Sequence, residues 1–368
     1  MSTLATLQMS SLPIVFLTGN ANVSFASNVA ACLSTLYGKE IKCHNCVLEK
    51  FSNGETQVEI PVSVRGCDVY VMQSTCSISP NDSLMELLAI IQAATLSDAD
   101  RVTAVVPAFA YARQDRKAKA RQPITAKLAC DLIKCSGAQR LMTYDLHADQ
   151  IQGFFDGPVD NLYAMNYFVR YTNERLPAVR EPANKDAFVV VSPDAGGVKR
   201  AVTFANLLGG LEVAMIHKNR PKPGEIGKMT LVGSVENRVV LMIDDIADTC
   251  GTLCKAAQLL KENGARQIYA FATHGVLSGK AFENLKSAKA IDFSLVVTDT
   301  IDVCAIAASK QTSIPSNLNV ISVAQQTAMS IRIANVGGSL SQFYNYDTWL
   351  QLFDNFETKS DSDDEVDS

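Results

Sequence analysis

Short apolar runs recur along the chain and alternate with segments that have the spacing of amphipathic helices. Runs such as FVVV (188–191) and VVLMI (239–243) are almost continuously hydrophobic, which is typical of strands buried on both faces of a parallel sheet. The segment 83–96 carries apolar residues three and four positions apart, as helices do. The alternation predicts an α/β fold, with parallel sheets flanked by helices. Strands are expected at 12–19, 68–74, 101–109, 139–146, 187–193, 211–217, 238–245, 267–275, 293–299 and 317–324.

The pattern occurs about twice, which predicts two domains of similar size. One set of elements ends near residue 165, and a second begins near residue 186 after a polar, helix-like stretch. We therefore expect domains at 11–165 and 166–355. The segment 356–368 is rich in acid and poor in apolar residues, so we expect a disordered acidic tail there.

Composition and charge exclude several classes of function. The chain has 368 residues and a formal net charge of -5, so it has no broad basic field, and binding to nucleic acid or to an anionic membrane is not favoured. The ten cysteines are scattered singly through apolar segments, which predicts reduced thiols in a cytoplasmic protein. The C-x-x-C at 43–46 lacks a second pair at zinc-site spacing, so a strand-edge pair is favoured over a metal or redox site. The sequence shows neither a signal-peptide pattern nor an apolar run approaching about 18 residues.

Three carboxylates, Asp244, Asp245 and Asp248, follow the buried run at 239–243. Ligands of open parallel sheets bind outside the carboxyl ends of the strands. Residues 248–252 lead into a helical pattern, so their N–H and hydroxyl groups can bind an anion at a helix N-terminus. The paired carboxylates suit vicinal hydroxyls or Mg2+, and the whole motif therefore suits a sugar phosphate. A simple helix cap is the alternative, but it leaves the other two carboxylates unexplained.

Other strand ends also carry polar residues. His147 and Asp194 each follow a predicted strand and suit a divided site for a hard metal ion. Basic residues at 113–121 either neutralise a polyphosphate or form a solvated face. The segment 217–229 combines cations, prolines and glycines, which is typical of a cationic lid or of a basic hairpin tip. FSNGE (51–55) predicts a hairpin turn, with an adenine-stacking Phe51 as the functional alternative.

Seven motifs, in order along residues 12–345, together resemble the ribose-phosphate pyrophosphokinase family, the phosphoribosyl-diphosphate (PRPP) synthetases. They are KFSNGETQVEIPVSVRG, YARQDRK, DLHADQIQGFFDGPVDNLYA, VSPDAGGVKRA, IHKNR, DDIADTCGT and THGVLSG. The resemblance implies two tandem phosphoribosyltransferase-like domains. It also implies an enzyme that uses Mg2+ to transfer the β,γ-diphosphoryl group of ATP to the 1-hydroxyl of ribose 5-phosphate. The products are AMP and PRPP, a precursor for nucleotide biosynthesis.

The resemblance also implies roles for individual residues. The ribose 5-phosphate site would comprise Asp244, Asp245, Asp248, Thr249, Cys250, Gly251 and Thr252. The ATP site would comprise Phe51, Asn53 and Glu55 on the adenine, with Arg113, Gln114 and Asp115 from a neighbouring subunit. His147 and Asp194 would bind the Mg2+ of MgATP, and Lys218 with Arg220 would stabilise charge during in-line transfer at Pβ.

Family members that need inorganic phosphate and are inhibited by ADP have a regulatory site at subunit contacts. The residues that match this pattern are Ser63, Arg65, Arg121, Asp160, Asn161, Ser339 and Ser341. Asp149 stands where many regulated relatives have serine, and a carboxylate there should oppose anion binding. The resemblance further implies a homo-oligomer built from dimers, with a hexamer as one arrangement.

Two other functions compete with this interpretation. One is a noncatalytic, synthetase-associated regulatory subunit, which keeps the fold but degrades the phosphate loop and the metal site. The intact SPDAGG and DDIADTCGT motifs argue against it. The other is an ordinary phosphoribosyltransferase, which usually needs one such domain and lacks the FSNGE motif.

Overall fold

The computed structural model describes residues 12–218 and 229–364, with the backbone alone at 218 and 357–364. The strands in these ranges are β1 (Ile14–Thr18), β2 (Cys43–Asn45), β3 (Val47–Lys50), β4 (Thr56–Glu59), β5 (Asp68–Met72), β6 (Arg101–Val106), β7 (Arg140–Tyr144), β8 (Val159–Leu162), β9 (Phe188–Ser192), β10 (Glu212–Lys218), β11 (Met229–Val232), β12 (Val239–Ala247), β13 (Gln267–Gly275), β14 (Phe293–Thr298) and β15 (Leu318–Ile321). The α-helices there are α1 (Val23–Tyr37), α2 (Pro80–Leu96), α3 (Thr125–Cys135), α4 (Met165–Arg175), α5 (Val198–Leu207), α6 (Gly251–Glu262), α7 (Ala281–Ala288), α8 (Val303–Ser309), α9 (Ala324–Asn335) and α10 (Tyr346–Asp364). Short 3-10 helices lie at Asp149–Phe154, Pro177–Arg180, Pro182–Ala187, Lys289–Ile291 and Leu340–Tyr344.

All ten strands predicted from the apolar runs are present, and the α/β prediction is confirmed.

The first sheet has the strand order β2-β1-β5-β6-β7-β8 in the described part of the chain, and its neighbours are all parallel. Alternate side chains of its central strands, such as Val69 and Val71, pack in one core with Leu87 and Ile90 of α2. The intervening side chains face the opposite way, and Tyr70 of this set donates a hydrogen bond to the backbone of α9 at Ile331. Because both faces are covered, β5 is buried throughout, as its continuous hydrophobicity predicts.

The second sheet has the order β11-β10-β9-β12-β13-β14-β15 within the described ranges. Its pairings are parallel except between β10 and β11, which are antiparallel. An aromatic cluster covers one face, where Phe271 of β13 lies 5.4 Å from both Phe168 of α4 and Phe204 of α5 between ring centroids. The chain moves from β9 to β10 in one direction and then restarts at β12 in the other. The carboxyl ends of β9 and β12 therefore flank a topological switch point, where ligands of such sheets bind.

Contacts divide the chain into two compact units whose limits differ from the predicted domains at 11–165 and 166–355. The first unit runs to Tyr163 and also contains Thr300–Asp302 and the chain from Ser322 onward. The second unit comprises Ala164–Asp299 and Val303–Ile321. The C-terminal part joins the first unit because α9 packs against α1.

A buried polar cluster fixes α9 in the first unit. Asp68 is fully buried at the start of β5 and forms a bidentate ion pair with Arg101, whose Nε lies 2.8 Å away. Asn335 of α9 donates to the same carboxylate at 2.8 Å, and Tyr70 donates to it at 3.0 Å. A buried carboxylate is stable only with such partners, so this cluster specifies where α9 packs.

The end of the chain differs from the predicted disordered tail at 356–368. The structure continues α10 as far as Asp364, so the backbone of 356–364 is helical, while residues 365–368 lie outside the described residues. The helix begins in an ordered segment because Trp349 and Phe353, four positions apart, are buried on one face. Trp349 also donates to Gln326 of α9 at 3.1 Å.

Other features of the sequence have direct structural outcomes. All ten cysteines are free thiols. Burial raises the pKa of Cys43 to about 11 and that of Cys46 to about 12, which favours the strand-edge interpretation of the C-x-x-C over a reactive thiol pair. Among the helices that the structure describes, none has the length and apolar character needed to span a membrane.

Replacing Asp68 by alanine is expected to lower the free energy of unfolding by about 3 kcal/mol, because Arg101 would lose its buried counter-charge. Asn335 and Tyr70 would lose an acceptor as well. Urea unfolding measures the change. The control is Glu40→Ala, which removes an exposed partner of Lys42 and should cost less than about 0.5 kcal/mol. Equal losses in the two variants would contradict the assigned role of Asp68.

Candidate active site

The loops that follow β9 and β12 meet at the switch point of the second sheet. Val191 of β9 pairs with Met242 of β12, and β9 ends one residue later, whereas β12 continues to Ala247. The side chains of Asp244 and Asp245 therefore lie beside the segment that carries Asp194. The strands thus bring three of the predicted carboxylates to one edge of the sheet.

Asp244 and Asp245 share a cationic neighbour. Arg200, in the first turns of α5, lies 3.7 Å from Asp244 Oδ1 and 3.4 Å from Asp245 Oδ1. The Asp245 side chain is 7% exposed and that of Asp244 is 24% exposed. One guanidinium therefore lies between the two carboxylates and is shared by both.

The surroundings of Asp244 change the pKa of its carboxyl group. Burial, and then the charge of Asp245, raise the pKa of Asp244 from 3.8 to about 7, while Arg200 opposes the rise and Asp194 adds to it. A carboxyl group with its pKa in this range gives up its proton readily to a bound cation. The cluster is therefore suited to a divalent metal ion or to the hydroxyl donors of a sugar.

The predicted anion loop lies directly at the N-terminus of α6. Cys250 has a left-handed backbone with φ 57°, and its carbonyl accepts the first helical hydrogen bond from Cys254 N at 2.9 Å. This turn directs the N–H groups of the first helical residues, beginning at Gly251, toward the edge of the sheet. Thr249 and Thr252 are exposed on either side of the buried Cys250 thiol. The loop therefore offers backbone donors, hydroxyls and the positive end of a helix dipole to an anion.

A second segment supports this loop from the end of β13. Leu277 N donates to Ala247 O at 3.0 Å, and the Ser278 hydroxyl donates to Asp248 Oδ1. Asn284 of α7 donates to Thr249 O at 2.9 Å. Asp248 is thus held by a neighbouring side chain, which shapes the loop.

Asp194 organises the loop after β9. Its Oδ1 accepts hydrogen bonds from Gly196 N at 2.9 Å and from Gly197 N at 3.1 Å. A Cβ at Gly197 would lie 2.9 Å from Ser192 Oγ, so the turn requires glycine there. One oxygen of Asp194 is thereby committed to the start of α5.

The oxygen-rich donor set of the second unit fits Mg2+. This ion prefers carboxylate oxygens, takes few of them from a protein, and completes its shell with water and phosphate. Such an ion would offset the repulsion that Asp194 and Asp245 exert on Asp244. In the described ranges, no group of three or more His, Cys, Asp or Glu side chains is arranged as a complete metal cage.

His147 belongs to the first unit, where it is exposed in the segment after β7. The preceding Asp145 has φ 36° and donates from its backbone to Leu162 O at 2.9 Å. Imidazole nitrogen is a softer ligand than a carboxylate oxygen, so His147 is a less typical Mg2+ ligand than Asp194. Asp194 is in the second unit.

The predicted adenine residues lie on a hairpin. Strands β3 and β4 are antiparallel, and Phe51 N donates to Glu55 O at 2.9 Å across the turn. Asn53 Oδ1 accepts from Glu55 N at 3.1 Å, which fixes the tip. The hairpin interpretation is therefore confirmed for the backbone. The Phe51 ring is 54% exposed and is available for stacking.

The second group of predicted nucleotide residues follows β6. Arg113 is exposed, while the side-chain carbonyl of Gln114 accepts a hydrogen bond from the Thr125 hydroxyl at 2.7 Å. Asp115 accepts from Gln150 at 2.9 Å, which ties this segment to the one that carries His147.

The predicted catalytic cations fall at the edge of the described residues. Lys218 is the last residue of β10, and its backbone pairs with Met229 of β11. Strand β10 runs parallel to β9, so Lys218 leaves the sheet at the edge that also carries Asp194. The Lys218 side chain and the whole of Arg220 lie outside the described residues.

The predicted regulatory residues are dispersed over several elements of the first unit. Ser63 and Arg121 are exposed, and Arg65 forms an exposed ion pair with Asp98. Ser339 and Ser341 are exposed before and within a 3-10 helix, with their hydroxyls 2.9 Å apart. Two other members have internal partners: Asp160 pairs with Arg140 at 2.8 Å, and Asn161 binds Leu146 and Tyr163.

Sequence reasoning did not single out Arg200, Ser278 or Asn284. Arg200 and Ser278 stand inside motifs of the resemblance, VSPDAGGVKRA and THGVLSG. That context is the only signal they carry, because their partners are 30 or more positions away in the chain.

Replacing Asp244 by asparagine is expected to raise the free energy of unfolding at pH 8 by roughly 1–3 kcal/mol, with little change near pH 4. Between pH 3.8 and about 7, the folded state binds more protons than the unfolded state, so wild-type stability falls as the pH rises through this window. Urea unfolding across this range measures the effect. Glu49→Gln, at an exposed carboxylate, is the control. A gain in the Asp244 variant that does not vary with pH would contradict the assigned cause.

Comparison with known proteins identifies the family. Residues 14–137 match the family model for the N-terminal domain of ribose phosphate pyrophosphokinase, and residues 220–345 match that for the phosphoribosyl synthetase-associated domain. Ribose-phosphate pyrophosphokinase A of Dictyostelium discoideum is 44% identical over 332 residues, which cover 90% of this chain and 98% of that protein. The ribose-phosphate pyrophosphokinase of Cereibacter sphaeroides is 43% identical over 338 residues, covering 92% of this chain and 96% of that protein.

A solved structure agrees with these sequence matches. The crystal structure of phosphoribosylpyrophosphate synthetase from Mycobacterium smegmatis superposes with a TM-score of 0.78 and 37% sequence identity, covering 89% of this chain and all of the other. The fold, the motifs and the relatives agree, and the chain belongs to the ribose-phosphate pyrophosphokinase family.

Proposed function

We propose that this chain transfers the β,γ-diphosphoryl group of ATP to the 1-hydroxyl of ribose 5-phosphate. The proposal rests on one observation: the anion loop at 248–252 directly follows the paired carboxylates of Asp244 and Asp245 at the switch point of the second sheet. Its curated relatives are named as enzymes of this type. PRPP and AMP are the products, which supply nucleotide biosynthesis.

The geometry of the second unit suits the acceptor sugar. The 5-phosphate accepts hydrogen bonds from the N–H groups at the start of α6 and from the hydroxyls of Thr249 and Thr252. The ribose hydroxyls donate to Asp244 and Asp245, which lie on β12 immediately before the loop. A phosphate at one end and vicinal hydroxyls at the other place the sugar along the edge of the sheet.

The transfer is a displacement at Pβ. The bond between the 1-oxygen of the sugar and Pβ forms as the bond from Pβ to the oxygen on Pα breaks, so AMP leaves with that oxygen. The hydroxyl proton passes to solvent or to a nearby carboxylate. No covalent enzyme intermediate is needed, so positioning and charge stabilisation supply the rate enhancement.

The family resemblance supplies the proposed nucleotide-binding residues. Phe51 stacks on the adenine, while Arg113 and its neighbours Gln114 and Asp115 contact the nucleotide of an adjoining subunit. His147 and Asp194 would hold Mg2+. When bound, this ion neutralises charge on the phosphoryl oxygens. Lys218 and Arg220 stabilise the charge that develops on the transferred group.

The carboxylates and the anion loop argue against the noncatalytic regulatory subunit. Such a protein would not need to retain Asp244 with its raised pKa, because the buried charge costs stability in the absence of a ligand. Regulation by phosphate and assembly into a dimer-based homo-oligomer stay predictions from the family resemblance.

Mixing the full-length protein with ATP, ribose 5-phosphate and Mg2+ is expected to yield AMP and PRPP in equal amounts. Lys218→Ala and Arg220→Ala should each lower kcat by about 100-fold or more, because each removes a charge that acts on the transition state. Their thermal midpoints should stay within about 1 °C of wild type, so that the lower kcat reflects lost transition-state stabilisation and not a loss of folded enzyme. Product formation is followed by chromatography.

The control for charge removal is Lys39→Ala, an exposed lysine after α1. It should retain wild-type kcat. A folded, magnesium-loaded wild-type protein that forms no AMP would refute the proposed activity and favour the regulatory subunit.

Replacing Thr252 by valine is expected to raise KM for ribose 5-phosphate about tenfold and to leave KM for ATP unchanged. The change removes one hydrogen bond to a charged phosphate, which is worth about 1.5 kcal/mol. Steady-state kinetics with each substrate varied in turn measures the split. Thr203→Val on α5 is the matched control, because its hydroxyl bonds only to the helix backbone, at Lys199 O. Equal effects on both KM values would contradict the assignment of the loop to the sugar phosphate.

A further inference from the structure

Asn161 of β8 makes two side-chain hydrogen bonds inside the first unit. Its side chain is buried, with 2% of the residue exposed. Its Oδ1 accepts from Leu146 N at 3.2 Å, and its Nδ2 donates to the Tyr163 hydroxyl at 3.2 Å. Leu146 immediately precedes His147, so Asn161 is bonded to the backbone from which His147 projects.

The hydrogen bond from Leu146 N to Asn161 Oδ1 lies at the point where the parallel backbone pairing of β7 and β8 ends. Asp145 N still donates to the backbone of Leu162 at 2.9 Å, but φ at Asp145 is 36°, which turns the chain out of the strand. Beyond this turn, the next N–H is satisfied by the Asn161 side chain. The amide thus takes the place of a ladder bond at the point where the chain leaves the sheet.

The second bond of Asn161 fixes the amide itself. With its Nδ2 committed to Tyr163, the Oδ1 is oriented toward Leu146. The Tyr163 ring in turn packs edge-on against Tyr344, with 5.8 Å between the ring centroids. A buried amide with both ends bonded has a single orientation, which it imposes on the segment it holds.

We propose that Asn161 is a positioning residue, which sets the geometry of His147 for the magnesium–nucleotide complex. This inference rests on the proposed function, since it takes His147 as a ligand in that complex. Residues that orient a ligand through a hydrogen bond typically contribute 10- to 100-fold to metal affinity.

The test uses two variants of the full-length protein. Asn161→Leu removes both bonds and keeps the same number and branching of side-chain heavy atoms, and Asn161→Asp keeps an oxygen acceptor for Leu146 N. Hydrogen exchange of the peptide spanning 145–149, measured without substrates, should be about tenfold faster in Asn161→Leu and within about threefold of wild type in Asn161→Asp. This readout does not depend on activity.

Kinetics supply the second readout. The Mg2+ concentration at half-maximal velocity should rise about tenfold in Asn161→Leu, while kcat at saturating Mg2+ stays within about twofold of wild type. In Asn161→Asp, the Mg2+ concentration at half-maximal velocity should return to that of wild type. A purely structural role would lower the amount of folded enzyme and would not shift this midpoint.

Asn317→Leu is the matched control. Asn317 is also a buried asparagine, and it donates to Leu285 O at 2.8 Å and to Phe293 O at 3.1 Å in the second unit. Its loss should lower the thermal midpoint but change neither the exchange of 145–149 nor the Mg2+ midpoint.

The outcomes separate this inference from the proposed function. Unchanged exchange at 145–149 in Asn161→Leu, or faster exchange with an unchanged Mg2+ midpoint, would overturn the positioning role. If wild type forms no AMP, the proposed function fails, and the positioning of His147 for catalysis fails with it even when exchange responds. Should Asn161→Leu not fold, Tyr163→Phe removes only the second bond, and it should speed exchange about threefold and shift the Mg2+ midpoint in the same direction; no change in either would overturn the role.

Discussion

The parallel pairing of β9 with β12 is the constraint on which the active site depends. Val191 of β9 pairs with Met242 of β12. Strand β9 therefore ends just before the level at which β12 carries Asp244 and Asp245. The next strand in sequence after β9 lies on its other side, so within the described residues the connections from β9 and β12 leave the junction in different directions. The fold therefore creates an open edge there, to which β9, β12, α5 and α6 each deliver polar groups.

The first unit has the same divergence between β1 and β5, yet it uses the junction differently. Gln73, just after β5, accepts from Ala21 N at 3.0 Å and donates to Glu86 of α2 at 2.6 Å. A Cβ at Gly19 would lie only 2.5 Å from the Gln73 side chain, so the junction is packed rather than open. Topology alone thus permits a site, and side chains decide whether one exists. The acceptor site is accordingly proposed for the second unit alone.

The sequence was sufficient to predict the strands, the α/β class and the carboxylate loop, because each depends on residues adjacent in the chain. The continuous apolar run of β12 and the acids directly after it are one local pattern. Arg200 and Ser278 could not be predicted in this way, since their roles arise from pairing between distant segments. The same holds for α9: its residues form an ordinary helical pattern, and only the buried carboxylate of Asp68 determines which unit it joins. The expectation for 356–368 used composition alone, whereas the backbone of 356–364 continues the helix that begins at Tyr346.

The raised pKa of Asp244 connects folding to function. Two carboxylates with one partial counter-ion are costly for an unliganded protein at neutral pH, and a hydrophobic pair would be more stable there. The cost makes physical sense only if binding relieves it: a ligand that brings positive charge or hydroxyl donors gains the electrostatic energy that folding had to oppose. A ligand that binds the ionised form of Asp244 would displace its proton, which would couple affinity to pH near neutrality. On the proposed function, the strand end is therefore less stable in the unliganded protein than it is with substrate bound.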